Sequence, residues 1–184
     1  LSQFVVEGYQ TMLDESDAQV LRMTDGKPAT HAIVPVGCGS IAQAVAQHFK
    51  SAAREQTPSS AAAVLAVEPD TAACLKTSLE NGKATAVPTE DSIMCGMNCG
   101  TLSTTAWPIL KSGVDAAVVV SDAEAHDAVR ELEALGVRAG PCGAATLAAL
   151  KKACRIEKPR FGLSESSVVI LYCTEGRREY TAPV

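Results

Sequence analysis

Four consecutive small residues, Gly37-Cys38-Gly39-Ser40, stand between an apolar run and a helical pattern, and their chemistry is that of an anion cradle. Gly37 and Gly39 let the backbone turn tightly and put no Cβ over the turn. Ser40 is a good N-cap for a helix running to about residue 50. Backbone N–H groups without partners then converge at the positive end of a helix dipole, which is how phosphate is held. The plainer reading is an ordinary β-turn-α corner. The cradle is favoured because Gly-x-Gly-Ser falls on a strand-to-helix junction, the context such a motif needs.

The elements that must position this turn follow from hydrophobic periodicity. Residues 32–36 are a buried strand leading into it. Ile41, Val45 and Phe49 form an i, i+4, i+8 stripe on a helix over 41–54. Upstream, 4–22 reads as one helix with Val5, Tyr9, Met12 and Leu13 near one face, stopped by Asp25-Gly26-Lys27-Pro28. After a loop at 57–60, residues 62–67 make a second buried strand ending at Glu68-Pro69. Asp70 or Thr71 caps a helix to about residue 80, closed by Asn81-Gly82. Residues 85–87 are a short strand or extended segment, 89–100 are irregular and rich in Met, Cys and Gly, and 104–111 begin another helix, with Trp107-Pro108 near its first turn. A third strand covers 115–120. Ser121 or Asp122 then caps a helix over 123–135, which Gly136 closes. Residues 140–143 read as a turn, 144–153 as a helix, 157–166 as a loop and 167–172 as the last strand, followed by Cys173-Thr174-Glu175-Gly176.

Strands that are continuous apolar runs, alternating with helices, predict an α/β fold: a central, mainly parallel sheet with helices on both faces. The 184 residues suffice for a single domain spanning 1–184. Sites in such sheets lie at the carboxyl ends of the strands, which directs attention to residues 37–40, Glu68, Ser121-Asp122 and Cys173-Thr174. The net charge of -5 argues against a nucleic-acid surface. No apolar run reaches the ~20 residues of a membrane span. The start, Leu1-Ser2-Gln3-Phe4, lacks the basic and apolar regions of a secretory signal; a first residue other than Met points to a fragment, a processed chain or a trimmed one. Seven scattered cysteines without a CxxC pair read as reduced thiols of a cytoplasmic protein, and Cys95 and Cys99 have no second pair to complete a zinc site. His31, His48 and His126 are too dispersed for a site, and the acidic run over 124–133 reads as a solvated helix face.

The turn is not a Walker loop, since no Gly-Lys-Ser/Thr follows. It does fit Gly-x-Gly-x-x-Ala through Gly37, Gly39 and Ala42, with Glu68 ending the next strand, so a dinucleotide-binding domain stands as a rival. The spacing to Glu68 is a little long and Pro69 stiffens the loop behind it. Glu68 otherwise reads as a neighbour of the site or as a solvated loop charge.

The stretch from Val34 through Val45 resembles the phosphate-cradling loop of the fold-type II pyridoxal-phosphate enzymes, the tryptophan synthase β superfamily. Within that superfamily, Val67-Glu68-Pro69-Asp70, the segment 92–100, Trp107-Pro108-Ile109-Leu110, the segment 143–150 and Cys173-Thr174-Glu175-Gly176 resemble diaminopropionate ammonia-lyase, in order and over nearly the whole chain. The resemblance implies pyridoxal 5'-phosphate as cofactor and β-elimination of ammonia from 2,3-diaminopropionate, a small amino-acid substrate, to give pyruvate. It implies that Gly37, Cys38, Gly39 and Ser40 hold the phosphate by backbone N–H groups. It also implies that Cys173, or the adjacent Thr174, stands beside the pyridine nitrogen as a neutral group, which suits elimination over transamination. Gly96 would shape the pocket floor or an ordinary turn; Gly143 would meet substrate or cofactor, or serve helix–sheet packing. The family's Schiff-base lysine, acid/base aspartates and substrate-carboxylate loop have no counterpart here. No catalytic residue is therefore assigned in this chain, which is expected to be the carboxyl-terminal half of an enzyme that is a homodimer when complete, and inactive by itself. A serine/threonine dehydratase-like enzyme is the nearest alternative, and a non-catalytic remnant that binds a phosphate ligand or a partner chain is another.

Overall fold

The computed structural model describes residues 3–50, 62–156 and 161–183. Four parallel strands form one sheet in the order β3-β2-β1-β4, with β1 at His31–Pro35, β2 at Ala63–Pro69, β3 at Ala116–Val120 and β4 at Val169–Leu171. The register aligns Ala32 with Val64, Ile33 with Leu65, and Leu65 with Ala116. Side chains alternate across a strand, so the sheet splits its apolar residues between two cores. Ala32, Val34, Val64 and Ala66 pack with α3 (Ser40–Phe49), α2 (Gln10–Met23) and α5 (Trp107–Gly113) on one face. Ile33, Leu65, Val67, Val118 and Val120 pack with α6 (Asp122–Ala134) and α7 (Pro141–Ile156) on the other. This is the α/β layering that the apolar runs predict, with helices on both faces. Small residues on α7, among them Ala144, Ala145 and Ala149, bring that helix close against the sheet.

Several local expectations are corrected. The single helix over 4–22 is two, α1 (Gln3–Glu7) and α2, broken at Gly8-Tyr9. Glycine is a poor helix-interior residue, and here the break places Tyr9 at the wall of the site cavity described below. Ser40 is the first helical residue and not the N-cap; Gly39 takes that position at φ +99°, where a side chain would be strained. Residues 140–143 are not a separate turn, because Pro141 already begins α7, as its fixed φ and missing N–H allow. Neither Asp70 nor Thr71 caps α4 (Cys74–Asn81); they form a 3-10 turn, and the helix starts after it. Residues 85–87 form no strand: Thr85 donates to Ser78 Oγ at 2.9 Å and Val87 to the Gly100 carbonyl at 2.9 Å. The tail of the helix expected over 41–54, the loop at 57–60 and part of the loop at 157–166 lie outside the described residues.

Other expectations hold with small changes. Ser121 caps α6 in a reciprocal capping box with Glu124. The acidic run on α6 is not merely solvated: Glu124 pairs with Lys152, Glu131 with Lys151 and Glu133 with Arg177. Among the described residues, no helix is long and apolar enough to cross a membrane.

Candidate functional site

At the carboxyl edge of the sheet the chain leaves β1 through Val36 and Gly37 and enters α3. Helix geometry leaves the first N–H groups of α3 without intrahelical acceptors, and among the described residues no protein acceptor meets the N–H groups of Cys38, Gly39, Ser40 or Ile41. The glycines are needed for the shape. A Cβ on Gly37 would stand 2.9 Å from the Gly96 carbonyl oxygen; one on Gly39 would stand 3.0 Å from Leu110 Cδ1 and 3.1 Å from Ala106 Cβ.

The irregular segment that presses on this turn is held by the ends of other strands. Asp122, just past β3, accepts from Ser92 Oγ at 2.6 Å and from Ile93 N at 3.0 Å. Arg178 donates to the Ile93 carbonyl. Met94 and Met97 are buried between these anchors, and the intervening Cys95–Met97 turn carries Gly96 to Gly37.

The segment after β4 closes the site from the other side. Glu175 accepts from Cys142 N, in the first turn of α7, at 2.7 Å and from Arg178 Nε at 2.9 Å. A two-residue antiparallel contact fixes the backbone there: Ala139 pairs with Gly176, and Gly140 N donates to the Glu175 carbonyl at 3.0 Å.

These parts enclose a cavity of about 240 Å³ lined by Gly37, Cys38, Gly39, Ser40, Gly96, Met97, Cys142, Thr174, Glu175 and Tyr9. Of the residues singled out from sequence, the structure brings Gly37, Cys38, Gly39, Ser40, Gly96 and Thr174 to its wall. Cys173 and Gly143 meet one another beside it, where a Cβ on Gly143 would lie 2.6 Å from Cys173 Sγ. Gly143 is buried and packs α7 against the 173–175 backbone.

Glu68 is not a solvated loop charge. Its side chain is fully buried at the end of β2, and its two carboxylate oxygens accept from Leu75 N at 2.6 Å and Lys76 N at 2.8 Å, serving the first turn of α4. Burial pushes its pKa up to about 7 against the pull of those two N–H groups. With both oxygens engaged, Glu68 is committed to the helix and not presented to a ribose.

Burial, with Glu68 next, pushes the Cys74 thiol up to about 12, and burial, with Glu175 next, pushes Cys142 up to about 11. Cys173 is also raised, first by desolvation of its sulfur and then by Glu175. The thiols of Cys142, in the cavity wall, and of Cys173, beside it, are thereby kept neutral. His31 is buried and engaged by Thr30 Oγ1 and the Phe161 carbonyl; His48 pairs with Asp17, and His126 meets the Tyr180 hydroxyl.

Tyr9 as a wall of the site, Asp122 as the loop anchor and the Glu175–Arg178 pair are roles that the sequence does not mark directly. The acidic residues at the strand ends were the available signal, since a carboxylate there faces helix N-termini. What the signal omits is the partner, which for Glu175 is 33 residues away.

The chemistry of this donor set fits a phosphate-bearing cofactor: free N–H groups on a helix N-terminus, a neutral hydroxyl and neutral thiols around one cavity. Comparisons with known proteins agree. Residues 1–173 match the family described as pyridoxal-phosphate dependent enzyme. No curated protein matches the chain. Among solved structures, the chain is similar to diaminopropionate ammonia lyase from Escherichia coli at 25% identity and a TM-score of 0.80, covering 93% of this chain and 44% of that one. It is similar to the threonine deaminase of T.th. at 28% identity and a TM-score of 0.70, covering 89% and 55%. It is similar to maize serine racemase at 26% and 0.71, covering 89% and 46%. The chain thus spans about half the length of these structures. With the fold, the cradle and the match over residues 1–173 in agreement, the chain belongs to the family of pyridoxal-phosphate dependent enzymes.

Proposed function

We propose that these residues form the cofactor-binding part of an ammonia-lyase that acts on 2,3-diaminopropionate, releasing pyruvate and ammonia. Pyridoxal phosphate supplies an electron sink for charge developing at the substrate α-carbon. The N–H groups of Cys38, Gly39, Ser40 and Ile41 bind its phosphate, helped by the α3 dipole. Cys173, or the adjacent Thr174, would be the neutral group beside its ring nitrogen. A neutral group there does not hold a proton on the ring nitrogen as a carboxylate would, which weakens the sink and suits elimination. Gly96 and Met97 form one wall of the pocket, while Gly143 supports it by giving room to Cys173. The lysine that carries the cofactor is expected in the amino-terminal half of the complete enzyme, so the 184 residues alone are inactive. A homodimer in the cytoplasm fits the family resemblance and the seven free cysteines.

The observation that carries this reading is the uncapped N-terminus of α3 facing the same cavity as Thr174. The choice of substrate is supported by the resemblance of the five motif segments and by the likeness of fold to the diaminopropionate enzyme, at a TM-score of 0.80. The slightly higher identity to threonine deaminase, 28%, keeps a serine/threonine dehydratase as the second reading. The test is to supply the full-length protein with 2,3-diaminopropionate, serine and threonine, and to measure 2-oxoacid and ammonia. Preferred turnover of diaminopropionate is expected. Preferred turnover of serine or threonine transfers the assignment to the dehydratase. A protein that takes up no cofactor is a binding remnant.

A further inference from the structure

A second cavity, of about 450 Å³, lies between α6 and the segment that follows β4. Its walls hold four arginines, Arg130, Arg138, Arg177 and Arg178, against two glutamates, Glu133 and Glu179, in a chain whose net charge is -5. Two of the arginines are already engaged. Arg177 pairs with Glu133 at 3.0 Å, and Arg178 with Glu175 at 2.9 Å. Arg130 and Arg138 are exposed, and among the described residues neither has a carboxylate within ion-pair distance. The backbone that carries this cluster is fixed, because Arg177 N donates to the Arg138 carbonyl at 3.0 Å beside the Ala139–Gly176 bridge. One flank is aromatic: Tyr180 holds His126 Nδ1 at 2.8 Å, and Arg178 lies over the Tyr180 ring at 5.7 Å.

We propose that this cavity binds a small organic phosphate, with the unengaged guanidiniums of Arg130 and Arg138 gripping the phosphate group and the Tyr180–His126 flank meeting the organic part. A guanidinium presents a planar fork of donors that matches phosphate oxygens two at a time. The volume falls within the range of small-molecule sites, and it exceeds what an inorganic ion needs. The site is separate from the cradle at residues 37–40 and does not depend on which substrate the enzyme takes. It neighbours the cofactor cavity, because Arg178 also holds Glu175, which lines that cavity.

The test uses the full-length protein loaded with pyridoxal phosphate, so that the cradle is filled, and titrates it calorimetrically with phenyl phosphate. One saturable site per chain is expected. In the Arg130→Gln/Arg138→Gln double variant the affinity falls about tenfold or more. Arg155→Gln removes the same charge from an exposed position at the end of α7, outside this cavity, and leaves the affinity unchanged. Glu133→Gln, which frees Arg177 from its competing carboxylate, tightens binding. The proposal is overturned by the absence of saturable binding, by unchanged affinity in the double variant, or by an equal loss in Arg155→Gln. Glu133→Gln keeps the test decisive should the double variant fold poorly: unchanged or weaker binding there also overturns it.

Discussion

Helices α3 and α4 both begin at the carboxyl edge of the same sheet, one strand apart, and they treat their N-termini in opposite ways. The first turn of α4 is closed from inside the protein: Glu68, fully buried, accepts from Leu75 N and Lys76 N. At α3 no described residue offers an acceptor, and a glycine turn keeps the space in front of it clear of side chains. Helices α6 and α7 side with α4, through the Ser121–Glu124 box and through Glu175 on Cys142 N. A helix N-terminus is an anion site by default. The fold supplies its own acceptor at three of these four termini, so the terminus of α3 is where an external anion is expected.

The largest effect is expected at the open terminus of α3. Gly39→Val puts a β-branched side chain at φ +99° and against Leu110 and Ala106. Strain and overpacking together oppose the cradle geometry by about 4 kcal/mol, so the free turn relaxes out of it and cofactor affinity falls by up to about a thousandfold. An absorbance titration with pyridoxal phosphate measures it.

At α4 the internal acceptor has its own pH signature. Glu68 releases its proton near pH 4.5 when unfolded and near pH 7 when folded. Between those values the folded state binds more protons, so its stability falls as pH rises. Relative to Glu68→Gln, which has no proton to release, the wild type loses about 3 kcal/mol across that window. Urea unfolding over that range of pH reads this difference. A constant difference across the window, or one that grows in favour of the wild type, contradicts it.

At α7, Glu175→Ala leaves Cys142 N–H and Arg178 without their shared acceptor, for a loss of about 2 kcal/mol in stability. Cofactor affinity falls several-fold with it, because Glu175 also lines the cavity. The smallest effect is expected at α6. Ser121→Ala removes the cap for about 1 kcal/mol and leaves cofactor affinity unchanged. Thermal melts and the same titration separate the two variants.

The fold class was legible because the strands are unbroken apolar runs and because Gly37 and Gly39 punctuate a strand-to-helix junction. The candidate site was legible where it is contiguous, at residues 37–40 and at Thr174, which line one cavity. It was not legible where an acceptor reaches across the structure. Glu68 serves N–H groups seven and eight residues on, and Glu175 serves one 33 residues back. Nothing periodic marks such pairs. Local propensity also misplaced boundaries. Ser40 has the right chemistry for an N-cap, yet the left-handed turn needs a glycine at that position, so Gly39 takes it. Gly140 and Gly143 suggest a turn, yet Pro141 opens α7 and Gly143 lies inside it, where Cys173 and Glu175 approach the backbone too closely for any side chain.

The most direct measurement is amide NMR of the full-length protein, deuterated and titrated with pyridoxal phosphate. Large N–H shifts are expected at Cys38, Gly39, Ser40 and Ile41. Little change is expected at Leu75, Lys76 and Glu124, whose N–H groups already have acceptors inside the fold. Shifts at the capped termini with none at residues 38–41 would contradict the claim that α3 is the terminus kept for the phosphate.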